Sequence, residues 1–135
     1  MNSIGILKKI SESFFKHFSD FKGLYHFGPR TKANYNDESD YDIILVFEEL
    51  DYEKELAIAH IINKFEFEHG LFIDYKTFTQ TGKKSIEYIR KNINPIFIEE
   101  AIDNGIFYGN HKEILVKNSL IKSEEALVIS VICYR

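Results

Sequence analysis

The sequence predicts one α/β domain, a small mixed β-sheet with helices packed against it, and three observations carry that expectation. A chain of 135 residues with 44% hydrophobic and 15% aromatic side chains can bury one real core but is short for two ordinary domains. Helix-period and strand-like hydrophobic patterns follow one another along the chain. The run Ile43-Ile44-Leu45-Val46-Phe47 is apolar without alternation, as a strand covered on both faces requires.

In chain order, Ile4, Leu7, Ile10, Phe14 and Phe18 recur at spacings of three and four, which places them on one stripe of an amphipathic helix. A turn near residues 20–22 ends it. Residues 23–27 form a short β-prone run closed by Gly28-Pro29, hence a strand entering a tight loop. After a polar stretch, residues 41–47 form the central strand. Ile58, Ile61, Ile62 and Phe65 then mark a second core-facing helix, and Gly70 stops it before a third strand at residues 71–75. Ile86, Ile89 and Ile93 predict a helix over 85–93. Pro95 starts another through Ile102, with Gly105 as its C-terminal cap. Residues 106–108 read as a short edge strand, and 110–135 as an extension whose structure the pattern leaves ambiguous.

The net charge of -4 and pI near 5.7 provide no general basic field, which argues against nucleic acid and anionic membranes as partners. Cys133 is the only cysteine, so no intrachain disulfide and no cysteine-based zinc site can form. The first 21 residues break their apolar positions with lysines, unlike a signal peptide, and no run approaches bilayer-spanning length. These features predict a cytoplasmic protein. They leave a homo-oligomer open.

The chemistry concentrates around Asp40-Tyr41-Asp42. Side chains two apart on a strand share a face, and two close carboxylates repel unless a proton or cation neutralises them. Magnesium suits hard oxygen ligands and substrate phosphates. Asp74 lies on a strand that could pair beside the first, and a third carboxylate there would let two metal ions flank a phosphoryl centre or let Asp74 act as general base. Taken alone, Asp-x-Asp is more often a solvated turn entering a strand. His17, His26, His60, His69 and His111 show no zinc spacing and read as core or surface residues. Cys133 reads as apolar filler. Lys83-Lys84 and Arg90-Lys91 read as a solvated helix face sooner than as a basic strip for RNA or an acidic partner.

Leu24-Tyr25-His26-Phe27-Gly28-Pro29-Arg30-Thr31-Lys32-Ala33, followed by Asp37-Glu38-Ser39-Asp40-Tyr41-Asp42-Ile43-Ile44-Leu45-Val46, resembles the signature of the DNA polymerase β-like nucleotidyltransferases: hydrophobic strand, Gly-Ser-x-x-x-Gly, then Ser-Asp-x-Asp and another strand. Within that superfamily the chain looks like the minimal nucleotidyltransferases encoded beside HEPN-domain partners. The similarity spans residues 23–108.

The resemblance implies the nucleotidyltransferase fold, with Asp40, Asp42 and Asp74 as catalytic, metal-binding carboxylates. It implies two Mg2+ ions, ATP as substrate, and Gly28, Pro29, Arg30 and Ser39 around the nucleotide, with Lys32 a weaker phosphate contact. It further implies AMP transfer to a hydroxyl on a HEPN-type toxin, which would make the protein an antitoxin. Two positions depart from the family pattern. Pro29 replaces Ser and supplies neither hydroxyl nor backbone N–H, and Ala33 replaces Gly. Arg30 has a second reading as a surface partner of Asp37 or Glu38. The competing function is a protein that keeps the fold and neutralises its partner by contact alone.

Overall fold

A computed structural model describes residues 3–31, 40–110 and 114–116, the last three as backbone. Helix α1 spans Ser3–His17, with Leu7, Ile10 and Phe14 wholly buried along the predicted stripe. It ends before Phe18, because the chain turns there to fold its aromatic side chains inward. The Phe14 ring lies 5.7 Å from Phe18 and 5.4 Å from Phe21. Strand β1 is Phe21–Phe27 and therefore begins two residues ahead of the expected start. Phe21 is buried and pairs with Phe47 across an irregular register at Phe21/Gly23, so tertiary burial extends the strand through a weak strand former, Lys22.

Strand β2, Tyr41–Phe47, matches its predicted bounds and is flanked on both edges. Alternate residues serve opposite cores. Tyr41, Ile43, Leu45 and Phe47 face the cluster built with Leu7, Ile10 and Phe14 of α1. Ile44 and Val46 face a second cluster with Phe78, Ile98, Ala101 and Ile102. Helix α2, Tyr52–His69, starts at Asp51, whose side chain accepts from Lys54 N at 2.7 Å, and ends at Gly70. It adds Ile58 and Ile62 to the first cluster.

Strand β3 is Ile73–Thr79, displaced toward the C-terminus from the expected 71–75. Its parallel pairing with β2 runs in register from Tyr41↔Ile73 to Phe47↔Thr79, so the strand continues as far as its partner does. The alternation in its second half was obscured by Lys76 and Thr77. Helix α3, Ile86–Asn92, is capped by Ser85 accepting from Tyr88 N at 3.1 Å. Ile93, expected on its buried face, sits past the helix end and is 64% exposed. Helix α4 is short, Pro95–Ile98, and passes into a π-helical turn, Glu99–Asp103.

Gly105 follows the helix end, one residue past the cap Asn104, without a left-handed φ. A Cβ built on it would strike the Ala101 carbonyl oxygen, so the residue is small to allow close backbone approach. Strand β4, Ile106–Tyr108, pairs with β1 and also with strand β5, Ile114–Val116. The expected edge strand is thus internal, because the extension after it supplies a further strand. The resulting mixed sheet has the order β3-β2-β1-β4-β5, with only β2 and β3 parallel. The strand-like run at 127–134 lies outside the described residues. No helix among the described residues is long and apolar enough to cross a membrane.

Candidate active site

The parallel pairing of β2 with β3 sets the site. Asp42 and Asp74 are direct register partners, and on β2 Asp42 lies on the same face as Ile44 and Val46. The carboxylates therefore stand side by side at the N-terminal ends of two adjacent strands, where the second core gives way to solvent. Asp42 is half-buried, Asp74 and Asp40 exposed. Burial pushes the Asp42 carboxyl above its usual range, the negative charges of Asp74 and Asp40 push it the same way, and Lys76 opposes them. Asp74 is also within hydrogen-bonding reach of Asp42.

Gly28 completes one wall. Its φ of +85° is a left-handed conformation, and a Cβ there would run into Asp42 Oδ2 and its carboxyl carbon. Gly28 thus lets the β1 loop close against the carboxylate. Pro29 to Thr31 follow as one turn of 3-10 helix, with Thr31 Oγ1 donating to Gly28 O at 2.7 Å. The turn places the Arg30 guanidinium 4.2 Å from the centre of the Tyr41 ring, with Nη1 donating to Tyr41 Oη at 3.2 Å. Arg30 is thereby fixed on the residue between Asp40 and Asp42. Ser39, Lys32, Ala33 and the alternative Arg30 partners Asp37 and Glu38 lie outside the described residues.

Sequence reasoning missed two members of this neighbourhood. Tyr41 carries Arg30 and shares a bond with Ser3, its Oη lying 3.3 Å from Ser3 Oγ. Lys76, two residues beyond Asp74, projects from the same strand face and holds its ammonium 5.8 Å from the Phe97 ring centre. The signal for Lys76 is the same period-2 spacing that joins Asp40 to Asp42, here from Asp74 along β3.

The donor set suits a hard divalent cation, since every ligand offered is a carboxylate oxygen. No three His, Cys, Asp or Glu side chains among the described residues form a ready coordination cage. An ion here would rest on the Asp42 and Asp74 pair and complete its shell from water and substrate phosphate, the usual habit of magnesium.

The remaining candidates have structural roles. His26 is 1% exposed, lies 5.7 Å from the Tyr41 ring, and is pushed down to about 4 by burial, with Arg30 adding to the effect. Arg90 forms a bidentate pair with Asp103, and Lys84 Nζ donates to Thr77 Oγ1 at 3.1 Å. The supposed basic strip is thus partly spent on internal bonds. His111 and Cys133 lie outside the described residues.

Fold and site together define a mixed-sheet α+β domain that presents an acidic pair on adjacent parallel strands beside a glycine turn. Among solved structures, the chain is similar to a crystal structure of a "putative nucleotidyltransferase" from Sulfolobus solfataricus, at 25% sequence identity over 57% of this chain and 67% of that one, with a TM-score of 0.43. No family model matches the chain. No curated protein matches it.

Proposed function

We propose that the protein is a magnesium-dependent nucleotidyltransferase that moves a nucleoside monophosphate, AMP from ATP, onto a hydroxyl acceptor. The observation that carries this reading is the in-register pair Asp42 and Asp74 on parallel strands, with Gly28 closed against Asp42. Like charges are costly to keep side by side, and a fold that binds only by surface contact has no use for them. Magnesium supplies neutralisation of the carboxylates and the triphosphate, and it lowers the proton affinity of the attacking hydroxyl.

In this mechanism Asp42 and Asp74 would hold the cation and orient the substrate, with Asp40 at the mouth of the site. The acceptor oxygen bonds to the α-phosphorus as the bond from that phosphorus to the bridging oxygen breaks. Pyrophosphate leaves with the electron pair, and the acceptor proton passes to Asp74, the more exposed carboxylate of the pair. Arg30, held on Tyr41, is the cation that the resemblance assigns to phosphate in this reading. Following the resemblance to minimal nucleotidyltransferases, the acceptor in this reading is a hydroxyl of a HEPN-type toxin and the protein is its antitoxin.

The test is to incubate the purified chain with magnesium, α-labelled ATP and a co-expressed HEPN-type partner. Label should appear on the partner, and Asp42→Asn should cut the rate by about a hundredfold or more. A second reading rests on Pro29, which stands next to Gly28 without a hydroxyl or N–H to offer phosphate. Under it the protein neutralises its partner by contact alone. Absence of label alongside magnesium-independent binding of the partner would select that reading.

A further inference from the structure

The geometry points to Lys76 as a phosphate-binding cation, placed on the β3 flank of the acidic pair and contacting the triphosphate of the substrate. The inference rests on the nucleotidyl-transfer reading of the same site.

Three observations carry it. First, Lys76 belongs to the same face as the carboxylates: Asp74, Lys76 and Phe78 alternate on one side of β3, and Phe78 packs with Ile44 and Val46 of the Asp42 face. Second, the lysine head is positioned by an aromatic ring and open to solvent. Its ammonium stands over the Phe97 ring of α4, and Lys76 is exposed. No ion pair among the described residues engages it, unlike Lys22, Lys54 and Arg90. Third, charge balance needs a cation on this side. A triphosphate approaching Asp40, Asp42 and Asp74 meets Lys76 on the β3 flank, two residues beyond Asp74 on the same strand face, whereas Arg30 is held on Tyr41, whose ring packs with the cluster on the opposite face of β2. A cation beside the carboxylates gives the phosphate chain a fixed point of contact.

The experiment is a calorimetric titration of the full chain with inorganic triphosphate and magnesium, repeated with ATP, on the wild type, Lys76→Met, Lys76→Arg and Lys84→Met. Methionine is a comparably long, unbranched side chain without the charge. Lys84 is a nearby lysine that bonds Thr77 on the other face of β3, and so controls for a general loss of positive charge.

Lys76→Met should weaken triphosphate binding by about tenfold, Lys76→Arg should restore it to within about threefold, and Lys84→Met should leave it unchanged. In the transfer assay the same loss should fall on KM for ATP, with kcat within about twofold. Equal affinity of the wild type and Lys76→Met overturns the inference while leaving the proposed function intact. An equal loss in Lys84→Met also overturns it, because the effect is then one of net charge. A wild-type chain that binds no triphosphate overturns both.

Discussion

Asp42 sits where burial and two neighbouring carboxylates all disfavour its charge, and Gly28 fixes it there by leaving no room for retreat. The contact makes a sharp prediction. Gly28→Ala must both accommodate a left-handed φ and displace the Asp42 carboxylate, so it should cost about 1–3 kcal/mol of stability and reduce transfer at least as severely as it reduces folding. Transfer measured at a temperature where the variant is still fully folded separates the two effects. Unchanged activity there would remove Gly28 from the site.

His26 tests the other side of the sheet. Its Nε2 is buried without a partner among the described residues, and its pKa is held at about 4 by burial and by Arg30. The folded state therefore keeps the ring neutral where the unfolded chain, near 6.5, takes up a proton. Between these values the unfolded state binds more protons, so stability is greatest above pH 6.5 and falls as pH drops toward about 4, by about 3 kcal/mol in all. Chemical denaturation of wild type and His26→Phe at several pH values checks this. The variant should lose the part of the slope that lies between pH 6.5 and 4, and a slope identical to wild type would rule His26 out as its source.

At the scale of elements, the joint between β1, the β2–α2 loop and α2 depends on Asp20. Its carboxylate accepts from Lys54 Nζ at 2.6 Å and from Glu49 N at 3.2 Å, and the two side chains are only 17% and 19% exposed. Burial raises the Asp20 pKa, but the bonds from Lys54 and Glu49 outweigh it and the net shift is downward. Asp20→Ala strands a largely buried ammonium and should cost about 2–4 kcal/mol, whereas Asp20→Ala combined with Lys54→Met should recover much of that loss. Thermal melts of the four variants in the cycle settle it, and strict additivity would mean that the pair is not coupled.

Element legibility followed from how far one physical signal dominated. β2 is readable to the residue because burial on both faces leaves an unbroken apolar run, and α2 is readable from its stripe and terminal glycine, while its Asp51 cap emerges only from the structure. β3 was misplaced because its bounds come from pairing with β2, a long-range effect that Lys76 and Thr77 conceal locally. Gly105 stands at the expected helix end, but glycine is required there by close approach to Ala101, which spacing alone cannot tell from a capping role. In the candidate site, the Asp42 and Asp74 neighbourhood was foreseen from strand order, while Tyr41 as the seat of Arg30 depends on a turn geometry that no pattern encodes.

For the molecule as a whole, the acidic pair sets stability against function. Holding Asp42, Asp74 and Asp40 together without a cation is a repulsive arrangement, moderated because the carboxylates are partly exposed and screened. Two consequences of opposite sign follow. In metal-free buffer, Asp42→Asn keeps the side-chain shape, removes one of the like charges, and should be more stable than wild type by about 1 kcal/mol. On adding magnesium, the wild type should gain stability by linkage, about 1.4 kcal/mol at ten times its dissociation constant, because the ion binds the folded site and not the unfolded chain. Asp42→Asn should gain far less. The ranking of the two proteins in melting temperature therefore narrows or inverts as magnesium rises, and raising monovalent salt to equal ionic strength should not reproduce the effect, since screening acts on both. Parallel magnesium responses in wild type and Asp42→Asn would mean that the cation acts elsewhere and would leave the carboxylate pair without its proposed ligand.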